Sequence, residues 1–203
     1  MTDILLESEG NNPERKNQGK RQLASKTNCE IELKSEINML FQAFNTAIEL
    51  ANTALSAFPF PPHCRSRSLE ANVMQSCFAN VMFSHFPDNT KFGKYKRLII
   101  HLNGYIILFK KLNKKGYPMN IKTINSKSIL AQNIVLELFS KAETEEPILF
   151  FGYKKNKFGV YCDPQIVYID EGTIQFTITE SDIQIITPKK EDGQNDQDLQ
   201  KAI

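Results

Sequence analysis

The sequence predicts an α+β domain built on one mainly antiparallel sheet. Three observations carry this. Apolar residues recur at three- and four-residue steps up to about residue 86, and at two-residue steps after it. Asn103-Gly104 separates two β-rich runs, and Asn-Gly supplies the positive φ angles of a type I′ hairpin turn. The stretch from Ile148 to Thr179 reads as strand throughout, broken by turn residues.

Residues 1–27 are polar and lack apolar periodicity, so a disordered leader is expected ahead of a single domain over 28–187. Its Lys16, Lys20 and Arg21 cluster reads as a solvated tail, with nucleic-acid contact as the alternative. A first helix is expected from Glu30 to Phe58, because Ile37, Leu40, Phe41, Phe44, Ile48 and Leu55 share one face with Ala47 and Ala51. Pro59, Pro61 and Pro62 cannot continue it, which makes Phe58–His63 an extended linker. The second helix is expected from Ser68, its N-cap, to about Phe86. Leu69, Val73, Cys77 and Val81 form one stripe, and Met74, Phe78 and Met82 a neighbouring one, so this helix should pack on two sides.

The hairpin Arg97–Leu102 and Tyr105–Leu112 follows, running out in the turn-rich segment Asn113–Pro118. Ser126 or Ser128 is expected to cap a third helix over Ile129–Ser140. After Pro147 four strands are expected: Ile148–Tyr153, Phe158–Tyr161, Gln165–Ile169 and Thr173–Thr179, the last hairpin turned by Glu171-Gly172. In the final strand Ile174, Phe176 and Ile178 should face the core, with Gln175, Thr177 and Thr179 on a wet face. Residues 188–203 read as a disordered polar tail.

The 203 residues are 41% hydrophobic, 24% charged and 10% aromatic, which excludes a wholly disordered, collagenous or disulfide-scaffold chain. No apolar run approaches the ~20 residues that span a bilayer, so no membrane contact is expected. The acidic start, Met1 to Glu7, lacks a basic n-region and is not read as a secretory signal. Cys29, Cys64, Cys77 and Cys162 form no CxxC pair, so free thiols in the cytoplasm are expected. A metal site would have to gather Cys64, Cys77, His85 and His101, but their spacing lacks the close ligand pairs of structural zinc.

Charge segregation is the sharpest feature. The 48 positions between Asp88 and Glu137 hold no acid, while 23 acids in 203 residues scale to about five in such a stretch. The same positions carry ten bases: Lys91, Lys94, Lys96, Arg97, Lys110, Lys111, Lys114, Lys115, Lys122 and Lys127. Phe92, Tyr95, Tyr105, Phe109 and Tyr117 lie among them, the mixture that single-stranded nucleic acid binding uses. A polyanion face over 91–127, a surface for an acidic protein and plain solvation of a hairpin all fit this pattern.

No motif identifies a reaction. GxxxxGK[ST], GxGxxG, HExxH and GxSxG are absent. A nuclease of the PD-(D/E)xK kind needs an acid on one strand and acid-x-Lys on the next, with a helical carboxylate that Glu70 could supply. Here Leu108 stands two before Lys110, and the first strand ends His101-Leu102-Asn103, so only a degenerate relic of that site is compatible. Glu145-Glu146 and Asp170-Glu171 read as turn carboxylates. Arg65 and Arg67 precede the second helix and could hold a phosphate there, or anchor the helix start through carboxylates.

Three segments carry a resemblance: Arg65-Ser-Arg-Ser-Leu-Glu-Ala-Asn-Val-Met, then Phe109-Lys-Lys-Leu-Asn-Lys-Lys-Gly-Tyr-Pro-Met-Asn-Ile-Lys-Thr, then Phe151-Gly-Tyr with Tyr168-Ile-Asp-Glu-Gly-Thr-Ile-Gln-Phe. Together they resemble a bacterial family encoded beside genes for Xre-type helix-turn-helix proteins joined to an ImmA-type zinc peptidase domain. The likeness runs from Arg65 to Thr179. The family carries a tryptophan in its last strand where this chain has Phe176. The resemblance implies an effector of a toxin–antitoxin or phage-defence module whose partner is the neighbour-encoded protein; it implies no catalytic residue. The leading expectation is therefore a non-enzymatic binding component with a protein partner. RNA or DNA binding through 91–127 is the alternative, and an enzyme with an unrecognised site the third reading. The candidate contact residues are Arg65, Arg67, Lys94, Lys96, Arg97, Lys110, Lys114 and Lys115, with no cofactor and no metal expected.

Overall fold

The computed structural model describes residues 19–119, 123–134, 145–157 and 160–186. The expected tail over 188–203 and residues 1–18 of the expected leader lie outside them. Residues 19–27, expected in the leader, are among the described residues, and their backbone pairs with the domain. Arg21 N–H donates to Gln132 O at 2.8 Å, Gln22 N–H to Glu145 O at 2.7 Å, and Ile134 N–H to Gly19 O at 3.0 Å. Polar side chains do not prevent order when the backbone finds ladder partners and Arg21 is buried.

The first helical region is two helices. Ser25 caps α1 (Lys26–Glu32) by accepting from Asn28 N–H, and α2 spans Lys34–Ser56. The break at Leu33 corrects the expected single helix; Leu33 is wholly buried, and its packing requirement is invisible to a periodicity that continues across it. α2 buries Ile37, Leu40, Phe41, Phe44, Ala47, Ala51 and Leu55, the expected face apart from half-buried Ile48. α3 spans Arg67–His85, and its cap is Ser66 rather than Ser68: Ser66 Oγ accepts from Leu69 N–H at 3.1 Å.

β1 (Thr90–Gly93) was not expected, being too short for alternation to show. β2 (Arg97–Leu102) and β3 (Tyr105–Lys111) form the expected hairpin, with Asn103 at φ 45 and Gly104 at φ 80. α4 lies at Ile124–Leu130, earlier than expected, because Thr123 and Ser126 form a reciprocal capping box. The expected extension of that helix over 135–140 lies outside the described residues. β4 spans Ile148–Lys155. β5 (Tyr161–Asp170) joins two runs expected to be separate; Asp163 at φ 52 and the following Pro164 mimic a strand break. Phe158 and Gly159, at the start of the expected Phe158–Tyr161 strand, lie outside the described residues. β6 (Thr173–Thr179) leads into an unexpected α5 (Glu180–Ile186), where Asp182 accepts from both Thr179 N–H and Thr179 Oγ1.

The domain is α+β, with six strands in the order β1-β2-β3-β4-β5-β6. Every neighbouring pair is antiparallel except β3–β4, which is parallel and therefore needs the crossover that carries α4. α1, α2, α3 and α5 cover one face over Leu98, Ile100, Ile107, Phe151 and Tyr168. Ile129 of α4 lies on the other with Ile99, Leu108, Phe150 and Val167. Covering both faces explains why the central strands read as continuous apolar runs. Phe150 and Phe151 point to opposite sides, and full burial of each contributes about 2–3 kcal/mol. A register shift in the β5–β6 ladder, where Tyr168 pairs Phe176 but Ile169 pairs Ile174, turns Ile174 to the α4 face. That corrects the expected common face for Ile174, Phe176 and Ile178.

Candidate functional site

β2 and β3 pair Ile99 with Leu108, and continuing this register sets Arg97 opposite Lys110. Because strand side chains alternate, both cations share the face that carries Ile99 and Leu108. Both are half-buried. Like charges placed opposite one another across two strands repel, so this arrangement costs stability unless an anion lies between them. Arg97 Nη1 is buried and has no hydrogen-bond partner among the described residues. Burial holds the Arg97 guanidinium below its usual value. Burial, and then Arg97 itself, lower the Lys110 ammonium.

Two cavities meet at this pair. One, of about 420 Å³, lies on the α3 side against Gln75, Phe78, Phe109 and Tyr153. The other, of about 510 Å³, lies on the α4 side against Leu108, Phe150, Ser126 and Ile129. Tyr95, Arg97, Lys110 and Met119 border both. Among the described residues no carboxylate lines either. A third, shallower groove of about 660 Å³ runs between α3 and β1 and also ends on Tyr95 and Lys96. Beside it the Phe83 and Phe92 rings lie 5.4 Å apart, both partly exposed.

The structure divides the eight expected contact residues. Lys96, Arg97 and Lys110 border the cavities, and Lys94 Nζ lies 5.4 Å from the centroid of the Tyr95 ring. Arg65 and Arg67 border none of these three cavities: Arg65 Nε donates to Phe60 O at 3.2 Å, bracing the linker, and Arg67 is the exposed first residue of α3. Lys114 and Lys115 also stand apart, in a loop whose Asn113 Oδ1 accepts from Lys115 N–H and Tyr117 N–H, and whose Gly116 lies close to Ile174 and Gln165. Lys20 is taken up by Asp170 and Glu171, at 3.0 and 2.9 Å. The site residues missing from the eight are Tyr95, Lys111, Gln75 and Met119. Tyr95 and Lys111 lie in the acid-free stretch and were legible as an aromatic among bases and as one of those bases; Gln75 and Met119 had no local signal.

The nuclease comparison fails on its donor set. Leu108, buried, fills the position of the acid in acid-x-Lys, and Glu70 is bound by Lys155 Nζ at 2.6 Å. The histidines and cysteines considered for metal are dispersed. His85 Nδ1 is 3.0 Å from Val81 O, His101 Nε2 is 2.5 Å from Glu146 Oε2, Cys77 is buried and Cys64 is exposed. What this cleft can do chemically is hold an anion between two half-buried cations, beside an exposed aromatic ring. The chain matches no family model, no curated protein and no solved structure.

Proposed function

We propose that this protein binds nucleic acid, through the basic cleft where α3, the β2–β3 hairpin and α4 meet. One observation carries the reading: Arg97 and Lys110 face one another, half-buried, with no carboxylate among the described residues of the cavity walls. A charge that is only partly solvated and is not neutralised by a carboxylate gains from a phosphate, and the guanidinium fork fits one bidentately. Lys94, Lys96 and Lys111 extend the positive surface around that pair. This reverses the order of the two leading expectations from the sequence: the support for it is that two cations of the acid-free stretch share one cleft, where charge count alone left a polyanion face, an acidic-protein surface and plain solvation open.

The test is a salt titration of binding to a labelled single strand. Log affinity should fall linearly with log salt, and Lys110→Met should lower the slope by about 0.7, one phosphate contact on a single strand. Tight binding with no salt dependence, or none at ~50 mM salt, would sink the reading.

A second reading rests on the Phe83–Phe92 pair. Two exposed aromatic rings beside β1, an edge strand, suit a protein surface better than a phosphate chain. On it this chain would be the cytoplasmic effector of a toxin–antitoxin or phage-defence module. Its partner would be the neighbour-encoded Xre/ImmA-type protein. Phe92→Glu should then abolish co-elution of the two purified proteins while leaving strand binding intact. Co-elution unchanged by this charge would overturn it.

A further inference from the structure

The β1–β2 connection is built unlike the chain's hairpin turns. At Asn103-Gly104 and Glu171-Gly172 a glycine takes the second left-handed position. Between β1 and β2, Tyr95 (φ 61, ψ 31) and Lys96 (φ 54) take both. A bulky aromatic in this region is a rare outlier, since its Cβ crowds the neighbouring carbonyl. The surroundings hold it there: Gln75 Nε2 of α3 donates to Lys96 O at 2.9 Å. Nothing in the core rewards the strain, because Tyr95 is 76% exposed. Tyr95 nevertheless borders both cavities and the groove, and Lys94 sits beside its ring. Strain kept at a site boundary, with no packing return, is the pattern of a functional constraint.

We propose that Tyr95 is a stacking platform for a nucleobase, so that the cleft takes a single strand with a phosphate at Arg97 and Lys110 and a base on the Tyr95 ring. This rests on the nucleic-acid reading above and narrows it. In a duplex the base faces are already stacked, whereas a single strand offers them to an aromatic ring. Stacking is tolerant of sequence because every base has a π-face.

The experiment titrates a labelled oligo-dT dodecamer, and an abasic dodecamer with the same backbone, by fluorescence anisotropy. It uses the full chain as wild type, Tyr95→Asn and Tyr95→Phe. Asparagine accepts the left-handed region, so Tyr95→Asn relaxes the turn and should melt no lower than wild type. Wild type should prefer the oligo-dT strand. Tyr95→Asn should weaken that strand by roughly 5- to 150-fold, the range of one lost base stack, and leave abasic binding unchanged. Tyr95→Phe should behave as wild type. Equal binding of the two strands by wild type, or a preference that survives Tyr95→Asn, overturns the stacking platform while the phosphate site stands. Binding of neither strand at ~50 mM salt overturns both.

Discussion

Replacing Lys110 by methionine should make the protein more stable, although it removes a residue from the proposed site. Cross-strand partners hold their Cβ atoms about 5 Å apart, and flexible side chains splay their charges to roughly 7 Å. At an effective dielectric near 20, two unit charges at that separation repel by about 2 kcal/mol. Partial exposure of both Arg97 and Lys110 screens this to about 1 kcal/mol. Methionine keeps the stem against Leu108 and Phe150 and removes the charge that burial disfavours. The assay is urea unfolding at neutral pH, where a gain of 1 kcal/mol moves the midpoint up by about 0.5 M. The pH dependence has a definite sign. The folded state holds Lys110 below its usual 10.5, so between the two values the unfolded chain binds a proton that the folded chain does not. Wild-type stability relative to Lys110→Met therefore rises with pH in that window, and the advantage of the variant shrinks towards pH 10.5. A single strand at a hundred times its dissociation constant should stabilise wild type by about 2.7 kcal/mol, and Lys110→Met less at the same concentration. A variant that loses 1 kcal/mol, or whose advantage ignores pH, would refute the claim that the two cations repel.

Gly104→Val should cost about 1–2 kcal/mol from backbone strain alone, since φ is 80 and no atom lies within 4 Å of the added Cβ; thermal melting checks this, with Gly104→Asn as the milder control. Gln132→Leu should cost about 3 kcal/mol or more in chemical unfolding. The wholly buried Gln132 side chain donates to Ile148 O and Ile169 O and accepts from Ile148 N–H, and each group left without it loses a buried partner. Cys29, wholly buried with its thiol pushed up to about 11 by burial, should resist alkylation at pH 8 while exposed Cys64 reacts; mass spectrometry of the labelled protein reads this.

The parts of the fold that local chemistry dictates were legible in the sequence. Asn103-Gly104 and Glu171-Gly172 announced their turns because few residues tolerate positive φ, and the apolar stripe of α2 announced its buried face. The parts set by tertiary contact were not. Leu33 is a buried apolar residue at the α1–α2 junction that continues the stripe and so hides the break, β1 is four residues long, and residues 19–22 are held by backbone bonds to Gln132, Ile134 and Glu145 that no local pattern encodes. The site shows the same division. Its charge was visible as a stretch without acids, but the grouping was not. Only the β2–β3 register separates Arg97 and Lys110, which meet, from Lys114 and Lys115, four and five residues after Lys110, which the loop carries towards β5 and β6.

The place of the cleft follows from the topology. β3 and β4 run parallel, so the chain leaves the carboxyl end of β3 on a crossover, where a hairpin would have turned back. α3 lies on one face of the sheet and α4 on the other, and cavities remain on both faces at this same end. They meet at Arg97 and Lys110, the residues that end the β2–β3 ladder on the face whose last apolar pair is Ile99 and Leu108. An apolar pair there would have extended the core and favoured stability. Two cations there do the opposite, and no carboxylate among the described wall residues neutralises them. With Leu108 in place of an acid and Glu70 engaged by Lys155, the described residues of the cleft present cations and none of the acids of a nuclease metal centre. A nuclease-like reading would require strand cleavage that is lost with Lys110→Met and with Glu70→Gln alike, since both belong to that motif; binding without cleavage, weakened by Arg97→Met and Lys110→Met and kept with Glu70→Gln, is the outcome this arrangement predicts.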